Sequence, residues 1–250
     1  MAKNNYTVPA LEKGMKLLEF LADYPAGLTM SEMTDTAIPT ATLYRMLTTF
    51  VQLGYISKDD NDRYRLNRKL LSLAYKSIDE NSIIEKALPF MRELRNLVNE
   101  TVMLGTLYGN EGVVLESVKS HQAICVSVKI GHHFPLHTAA PAKAMLACLD
   151  PQELSDILDN TEFTKFTDTT ITSKNVYLAE LESVRKNNYA FDFGEEHPDL
   201  RCAASAICGA NGQVLAAIWI AAPSSRTDRK NLEQIAIHVK SAAEKIQSVL

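Results

Sequence analysis

Apolar residues recur at helical spacing through the first fifty positions of the chain. In "TVPALEKGMKLLEFLADY", Leu11, Met15, Leu18 and Leu21 fall on one helical stripe, with Pro9 acceptable in a first turn. After the breaker "PAG", "LTMSEM" has the form of a capping box. Thr29 can accept from the backbone while Glu32 reaches back, with Leu28 and Met33 at the hydrophobic-staple positions, so a short second helix is expected to about Thr36. Pro39 then opens a third helix with Leu43, Leu47, Phe50 and Val51 on its apolar face, and Gly54 is placed to end it. Two short strand-forming runs around "DDND" come next as a hairpin.

Helix, short helix, helix and a two-stranded wing is the order of a winged helix-turn-helix, whose third helix enters the major groove of DNA. If the Leu43/Leu47/Phe50 stripe is buried, Ala41, Tyr44, Arg45 and Thr48 face outward. Arg can bind guanine or phosphate, Tyr a phosphate, and Thr a thymine methyl. Solvation alone would equally account for Tyr44 and Arg45. The capped segment before the helix and the wing after it favour the DNA reading, with Thr40, Thr42, Tyr44, Arg45, Thr48 and wing Arg63 as the candidate contacts.

Residues 67–99 read as helical, with "NRKLLSLAYKSIDE" as a linker helix and Pro89 inside "SIIEKALPFMRELRNLVNE". Beyond Glu100 the pattern changes to strand-like runs, "TVMLGTLY", "GVVLESV", "AICVSV", "CAASAI" and "VLAAIWIAA". Helical patterns lie between and after them at 141–149, 151–159, 175–188 and 229–248. Turns at Asn110–Gly112 and in "GANGQ" join strands as antiparallel hairpins, so the fold class is α+β. The expected organisation is a winged helix-turn-helix over 1–67, a linker helix over 68–80 and a second domain over 81–250.

Composition adds constraints rather than identity. The chain has 250 residues, 46% hydrophobic and 22% charged, with a net charge of −4. The first 75 residues are nonetheless slightly positive, with Lys58, Arg63, Arg65, Arg68 and Lys69 close together. No apolar run is long enough to span a bilayer, and the N-terminus lacks a signal-peptide layout, so a cytoplasmic protein is expected. Cys125, Cys148, Cys202 and Cys208 show no CxxC spacing and are expected as reduced thiols.

In their order and spacing, several segments resemble the IclR family of bacterial transcription regulators. In the first domain these are "ALEKGMKLLEFL", "PTATLYRMLTTFVQLGYI" and "YRLNRKLLSLA". In the second they are "GHHFPLHTAAPAKAMLA", "TITS", "NYAFDFGEEHPDLRCAASAI" and "GQVLAAIWIAAP". The resemblance implies a GAF-like effector domain, an antiparallel sheet flanked by helices. It also implies a homodimer or homotetramer on a pseudo-palindromic operator, and a small-molecule effector such as a sugar acid or aromatic acid. Repression of a catabolic operon is the expected role, with no enzymatic activity and no cofactor or metal.

Carried over from the family, the pocket comprises Ala140, Pro141, Asp192, Cys202, Trp219 and Ala221, with Phe134 and Leu200 as apolar wall. Amides at a helix N-terminus would favour an anion there. This chain departs from the pattern in three places. Pro141 lacks an amide hydrogen, Trp219 and Ala221 stand where some acid-binding relatives carry serines, and Thr40 with Ala41 replaces a polar or basic residue followed by Ser. Trp219 shifts the expectation from a very small keto acid towards a larger sugar-derived or aromatic ligand.

Other readings come from the residues themselves. His132, His133 and His137 lie close together and His197 precedes Cys202 by five residues, which keeps a metal-binding or enzymatic α+β domain as the alternative. "HHFPLH" however lacks an HExxH-like base. Glu195 and Glu196 are adjacent, which on a strand would send them to opposite faces, and no nucleophile elbow or phosphate loop is present. An interaction module without DNA binding is the remaining possibility.

Overall fold

The computed structural model describes residues 7–70, 72–73 and 83–250. Most of the expected linker helix at 68–80 lies outside the described residues. The chain divides into two compact units, Met1–Glu80 and Asn81–Leu250.

In the first unit, α1 (Pro9–Ala22) begins with proline in its first turn. Its buried stripe is Gly14, Leu17, Leu18 and Leu21, whereas Leu11 and Met15 are exposed. The expected stripe is therefore rotated: Gly14 takes an inward place because its missing side chain lets α1 approach Phe50. The second helix is also different from expectation. Thr29–Glu32 do form a capping box, with the Thr29 amide donating to Glu32 at 2.8 Å. In place of one helix the chain makes two 3₁₀ turns, Met30–Glu32 and Thr34–Thr36, separated by Met33 (φ −89°, ψ 38°) and closed by left-handed Ala37. Met33 is buried in the unit's core, and its inward turn interrupts a continuous helix.

Helix α2 (Thr40–Gln52) follows Pro39 and buries Leu43 and Leu47, with Phe50 and Val51 at the edge of the core. It ends in a Schellman arrangement. The Tyr55 amide donates to Phe50 O at 2.9 Å and that of Gly54 to Val51 O at 3.0 Å, with Gly54 at φ +78°, where glycine is unstrained. Strands β1 (Ile56–Lys58) and β2 (Tyr64–Leu66) pair antiparallel as the wing. Asp59 shapes their turn by accepting from the Asn61 and Arg63 amides, and the Arg63 amide, the larger influence, holds its carboxyl below the usual value.

The second unit opens with α3 (Ile83–Val98), which contains Pro89. It leads into β3 (Thr101–Tyr108), β4 (Glu111–Val118) and β5 (His133–Pro135). Helices α4 (Ala140–Leu146), α5 (Pro151–Asp159) and α6 (Lys174–Asn187) come after them. The unit continues through β6 (Ala190–Asp192), β7 (Leu200–Cys208), β8 (Val214–Pro223) and α7 (Arg229–Gln247). The strands form one antiparallel sheet ordered β5-β4-β3-β8-β7-β6. One face packs α4, α5 and α6 and the other packs α3 and α7. Central strands buried on both faces read as continuous apolar runs. Their many alanines, such as Ala203, Ala204, Ala216 and Ala217, let the helices lie close.

Expected "AICVSV" is not a strand. Its Val126 and Val128 pack against the core, but it pairs with no strand among the described residues; Thr101 Oγ1 instead donates to Val126 O at 2.8 Å.

Candidate DNA-reading face and small-molecule pocket

Burial of Leu43 and Leu47 fixes the orientation of α2. Thr40, Ala41, Tyr44 and Arg45 are exposed, Tyr44 by 55%, while Thr42 and Thr48 are half-buried. The Thr48 hydroxyl donates to Tyr44 O at 2.8 Å, so its donor is satisfied within the helix. Arg45 makes no side-chain hydrogen bond or ion pair among the described residues.

The expected wing forms, and several of its cations are tied to the rest of the unit. Arg63 donates to Gly27 O at 2.8 Å and pairs with Glu32 at 3.3 Å, tying the wing to the capping box. Lys58 pairs with Asp62, and Lys69 donates to Leu53 O. All four of Lys58, Arg65, Arg68 and Lys69 are exposed there. Arg65 alternates with Tyr64 and Leu66, so the period-two pattern of β2 could have identified it.

In the second unit, all eight expected pocket residues, Phe134, Ala140, Pro141, Asp192, Leu200, Cys202, Trp219 and Ala221, line one cavity of about 110 Å³. The sequence reading missed further lining residues, among them Met103, Val126, His132, Glu196 and His197. Met103 enters through strand register, whereas Val126, His132, Glu196 and His197 come from loops and bends. Met103 pairs with Trp219 on β8, Ala204 flanks Trp219 on the other side, and Cys202 pairs with Ala221. The Phe134 and Trp219 rings meet edge to face at 5.6 Å. Both need glycine neighbours. A Cβ on Gly112 would lie 1.9 Å from the Phe134 ring, and one on Gly105 2.9 Å from that of Trp219.

Asp192 projects from the end of β6, and its Oδ1 accepts from the Gly194 and Glu195 amides at 2.9 and 2.7 Å. Burial nevertheless raises its carboxyl above the ordinary value. Burial likewise pushes the Cys202 thiol well up, and the enclosed side chain packs as a small apolar group. The residues after Asp192 form bends, not a strand, yet adjacent Glu195 and Glu196 still diverge. Glu196 lines the cavity. Glu195 turns inward to Lys143 of α4, which also donates to Phe191 O at 3.1 Å. Both side chains of this ion pair are nearly inaccessible, and Glu195 Oε2 has no hydrogen-bond partner among the described residues. Burial raises Glu195 to about 7. Their pairing was not legible in the sequence, because they stand 52 positions apart.

The clustered histidines part company. His137 is buried, shares a hydrogen bond with Thr164 O at 2.9 Å and stacks on Phe166. His133 meets Glu111 at 2.8 Å, and His132 lines the cavity. Among the described residues, no group of three or more His, Cys, Asp or Glu could hold a metal ion.

Family models match on both sides of the unit boundary. Residues 10–60 match the IclR helix-turn-helix domain and residues 75–248 the bacterial transcriptional regulator IclR C-terminal domain. The chain belongs to the IclR family. The transcriptional regulator KdgR of Escherichia coli K12 is 32% identical over 209 residues, 83% of this chain and 80% of that protein. The transcriptional repressor AllR of the same strain is 29% identical over 243 residues, covering 96% and 90%. An IclR homologue from Microbacterium hydrocarbonoxydans, solved in complex with 4-hydroxybenzoate, shares the fold at a TM-score of 0.85 and 22% identity, with 96% and 98% of the chains covered.

IclR-family members are transcription regulators, not enzymes, so this chain joins a DNA-binding helix-turn-helix domain to an effector-binding C-terminal domain. The α+β assignment stands, with an antiparallel sheet flanked by helices. No helix among the described residues is long and apolar enough to cross a membrane.

Proposed function

We propose that the protein is a cytoplasmic repressor of a catabolic operon, released or tightened on its operator by a sugar-derived or aromatic metabolite bound in the second unit. The observation that carries this reading is the convergence of all eight expected effector positions on a single cavity. Residues 1–67 form the reading head, 68–80 the linker and 81–250 the effector domain.

On the reading head, Arg45 and Tyr44 meet base edges or phosphates, with Thr40, Thr42 and the Thr48 methyl beside them. Arg63 holds the wing in place through Gly27 and Glu32, and Arg65 is the wing cation that reaches the backbone. A homodimer or homotetramer would set two such heads on a pseudo-palindrome. Effector binding would shift the population of the operator-competent conformation, for which one to a few kcal/mol suffices.

In the cavity, the Trp219 and Phe134 rings offer an apolar corner for a ring face, and Asp192 and Glu196 supply acceptors for hydroxyls. At about 110 Å³ the space equals roughly four water volumes, so the buried part of the ligand is compact. Trp219 is the single tryptophan of the chain and reports occupancy directly. Titrating the protein with sugar acids, aromatic acids and short keto acids while following its emission tests the reading. Saturable change with the first two classes supports it. Response to keto acids alone overturns the ligand class, and response to none overturns the pocket assignment.

A further inference from the structure

A cleft of about 470 Å³ lies against α4, α6, β7 and α7, and two of the four cysteines line it. Cys148 lies just beyond the end of α4, and Cys208 is the last residue of β7. Along β7, Ala204 and Ala206 share the face that packs α4, and beyond a register irregularity between Ile207 and Cys208 the last residue lines the cleft. Cys208 is anchored by its amide, which donates to Gln247 Oε1 at 3.2 Å. Cys148 is the exposed residue among the four cysteines, although its thiol turns back to donate to Ala144 O at 3.5 Å, and Cys208 is partly exposed.

We infer that Cys148 and Cys208 form a dithiol that closes slowly to an intramolecular disulfide by exchange with a low-molecular-weight disulfide. The more open Cys148 thiolate attacks one sulfur of the small disulfide and expels the first small thiolate. The cleft has room for the resulting mixed disulfide. Cys208 thiolate then attacks the Cys148 sulfur and expels the second. The two protons released by the protein thiols pass to the two departing thiolates, and the two electrons lost by the protein sulfurs reduce the small disulfide.

The position gives the bond a consequence. Ala140 and Pro141 of α4 and Leu200 and Cys202 of β7 line the effector cavity at one end of these elements, while Cys148 and Cys208 stand at the other. A covalent tie between the far ends restrains the two elements that frame the cavity. Burial first, and then the neighbouring Cys208 thiol, raise Cys148 to about 12, against which Arg185, fixed by its bond to Ala147 O, acts weakly. Thiolate is therefore scarce at neutral pH, and exchange should accelerate about tenfold per pH unit from pH 7 to 9.

The test is incubation of the full chain with oxidised glutathione, followed by non-reducing peptide mapping and thiol titration. The expected product is a Cys148–Cys208 cross-linked peptide, with loss of two titratable thiols that reduced glutathione restores. Cys148→Ser and Cys208→Ser should each lose the cross-link, whereas Cys125→Ser should keep it. Mixed disulfides without the cross-link, a different dominant pairing, or an unchanged thiol count at pH 9 would each overturn the inference.

Discussion

The buried Lys143–Glu195 pair permits a test in which charge pairing and burial predict opposite signs. A carboxylate beside an ammonium is ordinarily depressed, but burial outweighs Lys143 here and raises Glu195 from 4.5 to about 7. The folded state therefore binds this proton more tightly than the unfolded chain. Stability contributed by the group is present below the unfolded value and is lost as pH rises towards the folded one. A displacement of about 2.5 pH units, at about 1.4 kcal/mol each, makes the loss on the order of 3 kcal/mol between pH 4.5 and 7. Glu195→Gln removes the titration and retains an oxygen for Lys143. Urea unfolding of wild type and variant across this range, followed by Trp219 emission, reads the second unit alone. Exposed carboxylates titrate in both proteins and cancel in the difference. Wild-type stability should fall relative to the variant as pH rises, by a few kcal/mol. A flat difference, or one of the opposite sign, would refute the dominance of burial and return Glu195 to the role of a depressed ion-pair partner.

Arg45→Ala should weaken specific DNA binding by about 1–3 kcal/mol while leaving the thermal midpoint of the first unit unchanged, as checked by anisotropy titration and circular dichroism. Arg63→Ala should lower the stability of that unit by about 0.5–1.5 kcal/mol through the lost bond to Gly27 O, visible in urea unfolding of the first unit. Gly112→Ala, whose Cβ would stand 1.9 Å from the Phe134 ring, should displace that ring, destabilise the second unit by about 1–3 kcal/mol and alter Trp219 emission; unchanged emission and stability would contradict the packing described.

Local signals in the sequence carried well where one residue decides the geometry. Gly54 ends α2 because its positive φ admits a Schellman motif, and Pro9, Pro39 and Pro151 each stand at or just before a helix start. The α2 stripe was legible because Leu43 and Leu47 are buried on its own periodicity. Periodicity misled in α1, where a small residue, Gly14, takes a core place that apolar counting passes over. It misled again at Met33, where inward packing breaks a helix into two 3₁₀ turns, and in "AICVSV", where alternation faces the core without a strand partner.

The candidate site divides in the same way. Effector positions carried by the family resemblance met in one cavity, since Asp192, Cys202 and Ala221 are paired in register across β6, β7 and β8. Arg63 is a candidate contact by its place in the wing, and its guanidinium also has partners 36 and 31 residues away, which no local pattern reveals. The pairing of Glu195 with Lys143 was invisible for the same reason, as charged residues are expected at the surface unless paired.

Selection of operator sequences from a random DNA library by the full-length protein measures the central claim most directly. The account predicts enrichment of a motif with two half-sites related by a two-fold axis, bound with an affinity that falls steeply as salt rises, and no such enrichment with Arg45→Ala. A pool that stays random with the wild-type chain, or that enriches identically with Arg45→Ala, would contradict it.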